Sequence, residues 1–319
     1  METHKRTKSI DPSNTIQVSV VIPTYNRRVS LVRCLDALQQ QTLDKKRYQV
    51  IVVNDGSPDD TAAFLEAYQR DTQMHLTVVN KQNEGPAVAR NTGIEMAEGE
   101  FVAFLDDDCI PDPRWLEDLL EEFPDDPQCA GLGGFIHRLH DTLYAQYIDD
   151  VTPLAHQIND PKLNFLVTAN AMYRKSVLTE IGGFDTTFAW AGGEDPELSL
   201  RITNLGYYLA ATQKAKVAHD HRDSLKAIYK THINYGKGMK LIVEKHKENI
   251  NLKMNIHKYA VGRFIETVKL FIKRRNLTFA KRLRYFLADL CVLCGFYRGY
   301  VTCPKPVDSS RIHSSVNSL

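Results

Sequence analysis

No uninterrupted apolar run in the chain approaches the ~20 residues that span a bilayer; the longest late one, Phe286 to Phe296, is broken by Asp289. Met1 to Thr15 is polar and basic with no apolar core, so it reads as a disordered basic tail over 1–15 rather than a signal peptide or anchor. Cysteine is scarce. Cys34, Cys109, Cys129, Cys291, Cys294 and Cys303 are six in 319 residues, too few for a disulfide scaffold, and a reducing, cytoplasmic compartment is the simpler expectation. Cys291 and Cys294 form one CxxC without the two further ligands that a zinc site needs, and they read as buried helix residues. Neither GxxxxGK[ST] nor a GxGxxG after the first apolar run is present, which argues against a P-loop enzyme and a dinucleotide oxidoreductase. Excess charge is lacking too: 40 Lys and Arg stand against 39 Asp and Glu, a formal +1, and no nucleic-acid partner is expected.

What is present is apolar material for a sizeable core, 43% of the chain, in one large domain or two smaller ones. Short β-branched runs alternate with stretches of helical period. Val18 to Ile22 is followed by Leu31, Leu35 and Leu38, and Gln49 to Val53 by Phe64, Leu65 and Tyr68. Leu76 to Val79, a helix over Ala87 to Met96, and Phe101 to Leu105 come next. Continuous apolar strands separated by helices predict an α/β fold with a mostly parallel central sheet and helices on both faces. In such sheets the ligand crevice lies beyond the carboxyl ends of the strands. Those ends read Pro23-Thr24-Tyr25-Asn26, Asn54-Asp55-Gly56-Ser57 and Asp106-Asp107-Asp108. Three adjacent carboxylates repel one another, and alone they would read as a helix N-terminus or a solvated turn. Converging with two other polar strand ends, they form a hard-oxygen site for a divalent cation, which would bring an anionic ligand with it.

Four stretches then fall in order: VSVVIPTYNR (Val18 to Arg27), VVNDGSPDDT (Val52 to Thr61), NEGPAVARNTGIEMAEGEFVAFLDDD (Asn83 to Asp108) and GGEDPELSLRITNLGY (Gly192 to Tyr207). IGGFDTTF (Ile181 to Phe188) and HDHRDSL (His219 to Leu225) add weaker support. From Gln17 to Gly238 the chain resembles the inverting glycosyltransferases of family 2, which have the nucleotide-sugar-binding GT-A fold. The resemblance implies a GT-A catalytic domain over 16–238, a nucleotide-sugar donor, UDP-linked by expectation, and a hydroxyl acceptor on a glycan or a lipid-linked carrier. It assigns Pro23, Thr24, Tyr25 and Asp55 to the nucleotide, with Tyr25 able to pack a flat face on the base. Asn26 and Arg90 either contact the nucleotide or serve the turn and an acidic neighbour. Asp106, Asp107 and Asp108 occupy the DxD position. Asp106 and Asp107 approach the ribose or metal-bound water, and Asp108, with Asp106 as the other outer carboxylate, ligates Mn²⁺ or Mg²⁺. His219 and His221, after the strand-like AKVAH, are candidates for one further ligand. Asn170 would line the sugar pocket and Trp190 would stack on a sugar ring. His137 reads as structural or acceptor-side. Asp195 is the expected base for the acceptor hydroxyl, with Glu194 assisting; the alternative for Asp195 is the N-cap of a helix Pro196 to Asn204. Two rival functions share the fold: a catalytically silent glycan- or nucleotide-binding module, and a sugar nucleotidyltransferase, which would carry a Gly-rich basic loop where PTYNRR stands.

Apolar positions Leu225, Ile228, Tyr229, Ile233 and Leu241 predict a helix interrupted at Tyr235-Gly236-Lys237-Gly238, a segment that is mobile in many members of the resembling family. Residues 239–305 read as a basic amphipathic helical extension and 306–319 as a flexible tail. Between Lys240 and Arg284 thirteen Lys or Arg face three acidic residues. Phe264, Val268, Phe271 and Ile272 alternate there with Lys269, Lys273, Arg274 and Arg275. Such a face fits the inner surface of a membrane or the packing of helices on the domain or on a second subunit.

Overall fold

The computed structural model describes residues 15–151, 165–248 and 254–304; the tails expected over 1–15 and 306–319 lie outside these, Thr15 apart. Its first half is the expected parallel sheet. Strands β1 (Val18–Thr24), β2 (Tyr48–Asn54), β3 (Leu76–Asn80) and β4 (Phe101–Leu105) alternate with helices α1 (Arg28–Gln39), α2 (Thr61–Asp71) and α3 (Pro86–Met96). β2 pairs in parallel with β1 and β3, and β1 with β4. The strand period of two sorts their side chains into two layers. Val18, Val20 and Ile22 pack with Leu31, Leu35 and Leu38 of α1, while Val21, Ile51 and Val53 pack with Ala87, Ala89 and Ile94 of α3.

The second half is mixed rather than parallel. It contains β5 (Cys109–Pro111), α4 (Trp115–Glu122), β6 (Cys129–Arg138), α5 (Leu143–Val151), β7 (Asn170–Arg174), α6 (Lys175–Glu180), α7 (Glu194–Asn204) and β8 (Tyr208–His219). β7 runs antiparallel to both β4 and β6, β6 parallel to β8, and β5 antiparallel to β8, giving one sheet of order β3-β2-β1-β4-β7-β6-β8-β5. α7 starts at Glu194, two residues before the expected Pro196, with Gly193 at the cap position in a left-handed conformation, φ 107°. Glu194 and Asp195 therefore sit in the first turn, where carboxylates complement the helix dipole, and Asp195 is not the cap.

The tail is α8 (Leu225–Lys245), α9 (Ile256–Lys273) and α10 (Phe279–Thr302). α8 passes unbroken through Gly236 and Gly238, so the expected interruption is absent and the expected boundary at 238 falls inside a helix. The glycines serve packing instead. A Cβ at Gly236 would stand 2.0 Å from Phe296 O, and one at Gly299 of α10 would stand 1.9 Å from Ile233 O, so the two helices touch backbone to backbone. Gly238 meets the Gly192–Gly193 turn in the same way, a Cβ there lying 2.1 Å from Gly192 O. Asp289, which breaks the late apolar run, is buried and accepts hydrogen bonds from Tyr147 Oη (2.8 Å) and Arg274 Nη1 (2.9 Å), tying α10 to α5. All six cysteines are free; Cys291 and Cys294 lie on α10, but Cys294 is exposed rather than buried. No helix among the described residues is long and apolar enough to cross a membrane.

Gly299→Val should therefore lower stability by about 1–3 kcal/mol through overpacking. Gly262→Ala on α9, where an added Cβ meets nothing within 4 Å, should leave the melting temperature unchanged or raise it. Calorimetry on both variants checks the difference.

Candidate active site

The polar ends of β1, β2 and β4 converge as the sheet topology requires, and they are bonded to one another. Asn26 is the one non-glycine residue with positive φ (55°) among the described residues, and its N–H donates to Ser57 Oγ at 2.9 Å, joining the first two strand ends. Thr24 Oγ1 donates to Asp107 Oδ2 at 2.7 Å. Pro23 is half-buried in β1 and the Tyr25 ring is 48% exposed, free to meet a flat ligand. Asp55 is buried and turned onto the loop that follows β3: Oδ1 accepts from Lys81 Nζ and the Glu84 N–H (both 3.0 Å), and Oδ2 from the Gly85 N–H (2.8 Å).

The three consecutive carboxylates diverge. Asp106 Oδ1 turns to Arg90 Nη2 (3.2 Å), whose Nη1 reaches Glu194 Oε1 at 3.1 Å. Asp107 turns to Thr24 and to Arg27 Nη1 (3.0 Å), and Asp108 to the same Arg27 nitrogen (2.5 Å) and to β8. Two guanidinium groups and a threonine thus offset the repulsion that three adjacent carboxylates create. Burial works against ionisation at Asp108, yet the His219 and Arg27 charges hold it well below the ordinary carboxylate range. At Asp107 burial wins over Arg27 and pushes the group up to about 6.

His219 Nε2 lies 3.2 Å from Asp108 Oδ1, and that oxygen is buried and accepts no hydrogen bond of good geometry among the described residues. Behind it runs a relay: His219 Nδ1 meets His221 Nδ1 at 2.6 Å, and His221 Nε2 meets Asp149 Oδ1 of α5 at 2.9 Å. The carboxylate only accepts, so His221 carries its proton on Nε2 and its Nδ1 accepts from His219 Nδ1–H. Burial opposes a charge on His219, but Asp108 raises the imidazole above its usual value, and protonated His219 then pairs with Asp108 Oδ1; in neutral His219 the Nε2 lone pair and Oδ1 are two acceptors that a divalent cation would bridge. This donor set fits a divalent cation. Cys109 Sγ belongs to the same group, all within 4.8 Å of one another, but burial raises its thiol well above its usual value, and a soft thiol does not suit Mn²⁺ or Mg²⁺. Of the residues expected at a metal, the structure brings together Asp108 and His219. Asp106 is committed to Arg90, and His221 stands behind His219 rather than beside Asp108.

Asp195 accepts from the Thr168 N–H (3.0 Å to Oδ2) and from Thr168 Oγ1 (3.0 Å to Oδ1). Burial and then the Glu194 carboxylate push Asp195 up to about 7, with Arg90 and the Thr168 N–H opposing. Glu194 is buried and fully engaged, by Arg90 on one oxygen and by the Gly192 N–H (2.6 Å) on the other. Asn170 is not a pocket residue. It is fully buried, its Oδ1 accepting from Trp115 Nε1 (2.8 Å) and its Nδ2 donating to Phe135 O (3.1 Å) and Ala215 O (3.0 Å), opposite Leu105 at the end of β4. The Trp190 indole N–H is buried without a partner among the described residues, and Lys237 Nζ lies 5.2 Å from its ring centroid. His137 stacks on Phe135 and its Nδ1 lies 3.1 Å from Arg138 O. Arg27, Thr168 and Asp149 were not expected; only Arg27, at the end of IPTYNR, stands within a motif.

The model of the Glycosyl transferase family 2 matches residues 19–182. The chain belongs to that family. A second model, Glycosyl transferase family group 2, matches residues 101–300 and so takes in the three tail helices, on which the sequence motifs are silent. The chain is 30% identical to glycosyltransferase AglE of Haloferax volcanii, over 69% of this chain and 72% of that protein. It is 24% identical to a dolichyl N-acetyl-α-D-glucosaminyl phosphate 3-β-D-2,3-diacetamido-2,3-dideoxy-β-D-glucuronosyltransferase of Methanococcus voltae, over 89% and 97%. Among solved structures it superposes on the mannosyltransferase PcManGT of Pyrobaculum calidifontis, a complex with GDP-Man and Mn²⁺, with TM-score 0.59 at 18% identity, over 97% of this chain and 82% of that one. The fold is GT-A and the protein is a glycosyltransferase.

For this family 2 enzyme, Thr168→Val removes a hydroxyl donor to Asp195 at constant volume. Transfer activity should fall as pH drops through about 7 in the parent, and the variant's acid limb should move to higher pH. Arg90→Leu strands buried Glu194 without its cation and should cost about 3–5 kcal/mol in denaturant unfolding.

Proposed function

We propose that the chain is a metal-dependent inverting glycosyltransferase that moves a sugar from a nucleotide-sugar donor to a hydroxyl of a glycan or lipid-linked acceptor on the cytoplasmic side. UDP is the nucleotide to test first, and GDP, present in the Pyrobaculum structure, is the alternative. The observation that carries the reading is the facing pair Asp108 Oδ1 and His219 Nε2, 3.2 Å apart, with Asp149 and His221 fixing the imidazole behind them. Mn²⁺ in the Pyrobaculum structure and the lipid-phosphate acceptor in the name of the Methanococcus relative support the same reading.

Asp108 and His219 would hold the cation. When bound, a divalent cation offsets the charge that develops on the leaving diphosphate. The chain's own groups do the rest. Thr24 and Arg27 fix Asp107 at the mouth of β1, on the nucleotide side, and Tyr25 offers its exposed ring to the base. Asp195, held by Thr168, takes the proton from the acceptor hydroxyl, and a group that titrates near neutrality suits that task. Glu194 keeps Arg90 between itself and Asp106, which fixes the distance from the base to the DDD turn. Trp190 offers a stacking face to an acceptor sugar.

A melting-temperature screen of nucleotide sugars with and without Mn²⁺ should single out one nucleotide family, the complex gaining about 2.7 kcal/mol at a hundredfold excess over Kd. Asp195→Asn should lower kcat by roughly 10²–10⁴ and leave donor binding intact. Asp149→Asn should weaken Mn²⁺ binding, read by calorimetry or electron paramagnetic resonance, by about 10–100-fold. Release of pyrophosphate instead of nucleoside diphosphate, or retention of anomeric configuration in the product, would overturn the reaction.

A further inference from the structure

The α9 residues Val261, Phe264, Ile265, Val268 and Ile272 are between 37% and 61% exposed. Their spacing of three, four, seven and eleven puts them on one helical stripe, turned away from the protein. α10 continues it with Phe279 (68% exposed), Leu283 and Leu287. The two stripes meet across the helix seam, where Phe271 packs against Phe279 and Phe286 at ring-centroid distances of 6.4 and 5.4 Å. Isolated exposed apolar residues need no explanation, but a contiguous face over two helices does.

The charge around this face selects its partner. Residues 254–304 hold ten Lys or Arg against Glu266 and Asp289 alone, and Asp289 is buried on Arg274. Lys258, Lys269 and Lys273 flank the α9 stripe, and with Arg275 and Arg284 they are exposed and form no ion pair among the described residues. A second copy of this chain would bring the same cations against themselves. Neither helix holds a stretch apolar enough to cross a bilayer. An anionic lipid surface satisfies both halves of the face, with apolar side chains in the headgroup–acyl boundary and lysines against lipid phosphates.

We propose that the outer face of α9 and α10 is a peripheral docking surface for an anionic lipid bilayer. This goes beyond the transfer reaction, and its test needs no turnover. The full chain is floated with phosphatidylcholine vesicles, with and without phosphatidylglycerol. It should float with the anionic vesicles, much less with the neutral ones, and be released by salt. Phe264→Ser with Ile272→Ser, and separately Lys269→Glu with Lys273→Glu, should each reduce partitioning on the order of tenfold or more. All four positions are exposed, so melting temperatures should not change. The proposal is overturned if the parent chain stays with the unbound fraction, or if both double variants float like the parent. A dimer in sedimentation that dissociates on Phe264→Ser, without vesicle binding, would assign the face to a second copy instead.

Discussion

One buried guanidinium holds the candidate site in register. Arg90 reaches it from α3, a helix of the parallel half, and grips Asp106 at the end of β4 and Glu194 at the start of α7 in the mixed half. The two halves also meet there through β4 against β7 and through Asn91, the next residue of α3, whose amide donates to Phe184 O (2.8 Å) and accepts from the Phe184 N–H (2.7 Å). An ion pair buried on both sides carries a desolvation cost that its own Coulomb attraction offsets only when further hydrogen bonds complete the geometry. Here the Gly192 N–H completes Glu194. The arrangement is better understood as a spacer of defined length than as a source of stability.

The same logic explains how three carboxylates coexist on one turn. Asp106, Asp107 and Asp108 are fanned toward α3, β1 and β8, and each meets a different group. Their environments push two of them apart in acidity, Asp107 upward and Asp108 downward. Adjacent residues of one type thereby acquire separate chemistry, because a turn at a strand end points successive side chains in different directions.

The parallel half was legible because its strands are β-branched and buried on both faces, and because polar residues cluster at their ends. The mixed half was not. β5 has three residues, β6 contains three glycines, and β7 is the short run Asn170 to Arg174, so none shows a strand period strong enough to assign its direction. At the candidate site, Asp108, Glu194 and Asp195 stand in sequence motifs, whereas most of the partners that set their properties do not. Thr168 and Asp149 lie in stretches with no local signal, and their roles exist only once β7 and α5 are folded against the site. Asn170 illustrates the reverse error. The family resemblance puts it at the sugar pocket, whereas the Trp115 N–H and two carbonyls consume its amide inside the core.

Gly236 and Gly238 were read as weak points of α8, and the close approach they permit has a mechanical consequence. Side chains at an interface act as springs, absorbing small shifts by changing rotamer. Where α8 meets α10 at Gly236 and the Gly192–Gly193 turn at Gly238, backbone bears on backbone and that compliance is missing. α8 is therefore a stiff strut whose two contacts lie within one turn of each other. A sliding or rotation of α10 against α8 is passed by these contacts toward the turn whose amide holds Glu194.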